Sequence, residues 1–93
     1  MTHLQEEMIS HLKALWSSRA LYQEYLKLAY FYVDKNMTGR EMNDLIEQSF
    51  YFLEGMDFEK MDADLYKYYE TNYLPFCESV WHTCIEDRIK FKQ

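Results

Sequence analysis

Cys77, His82 and Cys84 are the closest this sequence comes to a metal-ligand or redox set. On a helix, a separation of seven stacks the two thiols on one face two turns, roughly 10 Å, apart. That is too far for a mutual disulfide. His82 points well away from that face, and the triple does not have the spacing of a common zinc site. Both cysteines are therefore expected to be buried small hydrophobes, which suits a reducing compartment. His3 and His11 are scattered and expected at helix surfaces or edges, so neither a metal nor a cofactor is expected.

The acids offer no better case for catalysis. Asp57, Asp62 and Asp64 lack the ligand spacing and the central glycine of a calcium loop. An enzyme would need a nucleophile beside a base, or two carboxylates converging in a pocket, and helical spacing here sends the acids outward. A small helical bundle also leaves little room for a substrate pocket. A non-enzymatic role is the expectation.

The elements that position these residues are few and long. The 93 residues suit one domain with one modest core, and only two Gly and one Pro occur, too few for the turns of a many-stranded β fold. A hydrophobic fraction of 48% with 18% aromatics excludes a chain held open by its charges. No apolar run approaches the length that a bilayer requires, and no basic-then-apolar leader opens the chain, so a cytoplasmic location is the default.

Thr2 with Gln5 has the form of a capping box, and Leu4, Met8, Ile9, Leu12, Leu15 and Trp16 recur at helical spacing, predicting a first helix over 3–16. From Leu21 to Val33 the apolar stripe is rotated by roughly 100° about the axis, which favours a break at Ser17 and Ser18. Asn36 to Gly39 read as a loop, and Thr38 with Glu41 makes a second capping box. The helix it opens turns Met42, Leu45, Ile46, Ser49, Phe50 and Leu53 inward and ends near Glu54, where Gly55 suits a left-handed cap. Residues 58–72 read as a fourth helix entered through Asp57, and a fifth is expected to start at Pro75, a residue tolerated in a first turn. The expected fold is all-α, a compact bundle of four to five helices in a single domain over 1–93.

Charge carries the most information about function. Residues 41–64 hold eight acids against Lys60 alone, a net of −7, whereas the rest of the chain nets +1. Asp44, Glu47 and Glu54 fall opposite Met42, Leu45, Ile46 and Leu53 on the helical wheel, with Tyr51 among them. Such a stripe either solvates a small protein or docks it on a basic partner, with carboxylates taking the place of phosphates. The candidate partner surface is Glu41, Asp44, Glu47, Tyr51, Glu54, Asp57, Glu59, Asp62 and Asp64. The expected function is a small acidic regulator or inhibitor of a basic, nucleic-acid-handling protein, in the style of phage-encoded and mobile-element anti-defence inhibitors, a likeness of form with no motif behind it.

Two alternatives stand beside it. Nine tyrosines exceed what one small core holds with every hydroxyl satisfied, so Tyr30, Phe31, Tyr51 and Tyr68 are candidates for the surface. Phe31 lies between Glu24 and Lys27 on the polar side of its helix, and Tyr30 and Phe31 would then serve a homodimer. The other alternative is a DNA-binding domain using Arg88, Lys90 and Lys92, against which the acidic surface argues.

Overall fold

Both capping boxes form. The Thr2 hydroxyl accepts from the backbone N–H of Gln5 at 3.2 Å while the Gln5 side chain accepts from the N–H of Thr2 at 2.8 Å. From there α1 runs His3–Ser17 and buries Met8 and Leu12. The computed structural model describes residues 1–53 and 55–86. Glu54, residues 87–93 and the side chains of Cys84, Ile85 and Glu86 lie outside that description, and with them the expected places of Glu54, Arg88, Lys90 and Lys92.

The break after the first helix follows from the rotated apolar stripe. Ser18 caps α1, Arg19 takes the left-handed conformation at φ 56°, and the N–H of Ala20 reaches back to the carbonyl of Leu15 at 2.9 Å. That six-to-one bond closes a helix end in the Schellman manner. With the axis redirected, α2 (Tyr22–Asp34) can turn Tyr25, Ala29, Tyr32 and Val33 into the same core. Its first residue has no local side-chain cap; instead Asn72, fifty positions away, accepts from the N–H of Tyr22 at 3.1 Å.

The second connection repeats the device with Asn36 at φ 70° and the N–H of Met37 bonded to the Tyr32 carbonyl at 3.0 Å. Met37 is fully buried, so one residue of the expected loop belongs to the core. Thr38 then caps α3 (Gly39–Phe52), its hydroxyl accepting from the N–H of Glu41 at 3.1 Å. The side-chain amide of Gln5 donates to the carbonyl of Glu41 at 2.8 Å, so α1 and α3 begin side by side.

The end of the chain departs from expectation. Asp57 caps only a short turn, accepting from the N–H of Glu59 at 3.0 Å, and the helix expected over 58–72 starts later, where Asp62 accepts from the N–H of Leu65 at 2.7 Å. This α4 (Ala63–Tyr68) passes without a break through a π-helical turn, Tyr69–Tyr73, into α5 (Leu74–Glu86). Pro75 therefore lies inside a continuous helical rod rather than at the head of a separate fifth helix. In a π turn the N–H of Leu74 bonds the carbonyl of Tyr69, one residue further back than in an α-helix. The widened ladder already leaves carbonyls without an intrahelical donor, so the N–H that proline lacks is not missed there.

One cluster of buried side chains joins these elements, with Leu12, Tyr25, Tyr32, Met42, Leu45, Tyr73 and Phe76 all fully covered. Each of its Leu, Met and Phe side chains contributes about 1.5–3 kcal/mol of burial. Tyr73 is its hub, with the rings of Tyr25 at 5.3 Å and Trp16 at 5.4 Å. The bundle is all-helical among the described residues, and no described helix is long and apolar enough to cross a membrane.

Candidate docking surface

Glu54 lies outside the described residues, and the structure sorts the other eight candidates of the acidic segment into two kinds. Glu41, Asp57 and Asp62 hold backbone. The Glu41 carboxylate accepts from the N–H of Thr38 and from its hydroxyl, both at 3.1 Å. Those bonds, the backbone one foremost, keep its carboxyl below the ordinary range against the opposing effect of burial. Glu41 is thus a cap rather than part of an outward stripe. Asp62 caps α4, and Asp57 caps its turn while its second oxygen lies 3.8 Å from the ammonium of Lys60.

Asp44, Glu47, Glu59 and Asp64 are exposed and enter no ion pair among the described residues. Asp44, Glu47 and Tyr51 are spaced three and four apart and share one exposed face of α3. Glu47 receives one long bond, 3.4 Å, from the Asn43 amide. Tyr51 is 85% exposed, the most open of the large hydrophobic side chains described.

Glu47, Tyr51, Asp57 and Glu59 come together around one groove of about 710 Å³, floored by Phe50, Met56 and Phe58. Phe58 reaches this position from the short turn rather than from a helix, and its ring stacks edge-on against Phe50 at 5.8 Å and Tyr69 at 5.1 Å. Asp44 lies one turn before Glu47 on α3, and Asp62 and Asp64 lie outside the groove.

Phe50 and Glu47 also border a second, smaller groove of about 230 Å³ between α3 and α5, with Ile46, Leu74, Cys77 and Trp81 as its apolar lining and Glu78 opposite Glu47. Glu78 and the half-exposed Trp81 escaped the sequence reading. Trp81 was not among the surface candidates, and Glu78 lies outside the acidic segment. Cys77 is buried as expected, and burial pushes its thiol up to about 12. No group of three metal-ligating side chains occurs among the described residues.

Tyr30 and Phe31, the candidates for self-association, are exposed at 49% and 48%. Phe31 borders a groove of about 580 Å³ between α1 and α2, beside His11, Leu15, Glu24, Lys27 and Leu28, and the Lys35 ammonium lies 4.7 Å from its ring centre. Tyr68 is a correction to the surface set: it is half-buried, and its hydroxyl donates to the Ala20 carbonyl at 2.8 Å.

The chain matches no protein-family model, no curated protein and no solved structure.

Proposed function

We propose that this protein is a small acidic regulator or inhibitor that docks on a partner protein with a basic surface, of the kind that holds nucleic acid. The observation that carries the reading is the gathering of Glu47, Asp57, Glu59 and the exposed Tyr51 around one apolar groove. Carboxylates that only solvate a protein have no need of exposed aromatic rings among them. An apolar floor with a charged rim has the arrangement of a protein interface, where aromatic anchors supply affinity and charge supplies encounter rate and selectivity.

The test is charge reversal at three of the exposed carboxylates that have no capping role: Asp44→Lys, Glu47→Lys and Glu59→Lys together. Exposed changes of this kind move stability little, so the melting temperature should stay within a few degrees. The variant should lose the partner that the natural chain captures from a host lysate at low salt and releases at high salt. Retained capture by a folded variant would overturn the reading.

A second reading has its own support. Tyr30 and Phe31 leave an aromatic face on α2, half-exposed and beside a groove, which suits a homodimer or a subunit in an assembly. Sedimentation equilibrium separates the two, since a monomer at micromolar concentration leaves that face to serve no dimer.

A further inference from the structure

The two grooves share Phe50 and Glu47 in their linings and so adjoin along α3, and together they make one run, the channel. Its lining passes from Trp81 and Ile46, through Phe50, to Met56 and Phe58 beyond the end of the helix. Ile46 to Phe50 alone covers about 6 Å of axis at the helical rise. Its edges carry Glu78 at one end, Glu47 where the grooves adjoin, and Glu59 with the Lys60-paired Asp57 at the other.

We propose that this channel takes an amphipathic basic helix of the partner, laying apolar side chains on Trp81, Phe50 and Phe58 and placing Lys or Arg against the flanking carboxylates. The proposal rests on the docking reading above and specifies its occupant. Three observations favour that occupant. The charge along both ends of the channel is acidic, which repels phosphate and therefore nucleic acid. A second copy would bring a chain of net charge −6 to the same acidic edge. The channel walls are helices, whose backbone donors and acceptors are used internally, and the described residues contain no strand edge for a peptide to extend. Recognition must then go through side chains, as when an amphipathic helix lies in a groove.

The probes are three fluorescein-labelled peptides of about five helical turns: Leu and Lys at helical period, the same residues in an order without an apolar face, and Leu with Glu at helical period. Anisotropy titration should show binding of the first, and binding weaker by at least about tenfold for the other two. Trp81→Ala, Phe58→Ala and Glu78→Lys should each weaken the first by a similar factor, with melting curves confirming that the variants fold. Glu78→Lys, on an exposed position, keeps the test decisive if an aromatic variant unfolds. Tyr30→Ala should change nothing.

Equal binding of the two Leu and Lys peptides would overturn the channel while leaving charge-driven docking in place. No binding of either peptide, together with partner capture that survives reversal of Asp44, Glu47 and Glu59, would remove both. Self-association that is lost in Trp81→Ala would assign the channel to a second copy and overturn the proposal.

Discussion

The hydroxyl of Tyr25 lies 2.6 Å from that of Tyr68, and Tyr68 donates its own proton to the carbonyl of Ala20. One proton cannot serve both bonds, so Tyr25 is the donor to Tyr68. The chain of bonds runs from the fully buried Tyr25, through α4, to the connection between α1 and α2. Burial, with Tyr68 adding to it, pushes the Tyr25 hydroxyl well above the ordinary phenol range, which favours the protonated donor.

That direction makes the two hydroxyls unequal. Tyr68→Phe removes the acceptor of a buried hydroxyl and the donor to Ala20, leaving two groups unpaired, at about 1–3 kcal/mol each where they are buried. Tyr25→Phe leaves the Tyr68 to Ala20 bond in place and should cost about 1 kcal/mol. Urea unfolding of the two variants should rank them in that order, and the reverse order would mean that Tyr68 donates to Tyr25.

Arg19 holds a left-handed backbone at φ 56° with its guanidinium carbon 5.3 Å from the centre of the Tyr68 ring. Arg19→Ala and Arg19→Gly both lose the ring contact, and only glycine relieves the backbone. Arg19→Gly should therefore be the more stable of the pair by about 1 kcal/mol. Equal midpoints for the pair would show that the turn relaxes to another conformation.

Glu41 has a folded pKa below the ordinary value of 4.5. The sign follows from linkage: its ionised form favours the native state above that value, and the contribution is lost as pH falls through the lower folded pKa. Glu41→Gln keeps an acceptor for the Thr38 N–H and removes the titration, so the stability difference between natural chain and variant should be flat above pH 5.5 and shrink below about 4.5. A difference independent of pH down to 3 would show that the charge has no part in the cap.

The Cys77 thiol, buried and raised to about 12, should be almost wholly protonated near pH 8. In a Cys84→Ser background, reaction with a thiol reagent should be slow in buffer and fast in urea. Rapid native reaction would indicate local opening of α5 away from α3.

What was legible in the sequence was local. The two capping boxes, the break at Ser17 and Ser18 and the positive φ of Gly55 each depend on residues within a few positions, and each took the expected form. Pro75 misled because its neighbours say only that a helix can begin there. The π turn that lets the rod continue is fixed by packing, with Tyr69 and Tyr73 held in the core and Asn72 turned to cap a helix fifty residues away. The acidic face was half legible. Helical spacing placed Asp44, Glu47 and Tyr51 together, but the same periodicity could not show that Asp62, rather than Asp57, caps the helix that follows. Glu78 and Trp81 join the surface only through the pairing of α5 with α3, which no local pattern encodes.

The bond from Gln5 to the Glu41 carbonyl has a consequence for how the molecule opens. The first turn of a helix is ordinarily where fraying begins, because its amides have no partner within the helix. Here the side chain that closes the first cap also grips the start of α3, with the Thr2 hydroxyl beside the Glu41 carboxylate. Loosening residues 2–5 would strip partners from both helix starts at once, so the two openings are coupled. The amino-terminal turn thereby shares the lifetime of the middle of the protein, and its amide hydrogens should exchange with solvent on the timescale of α3 rather than that of a loose end.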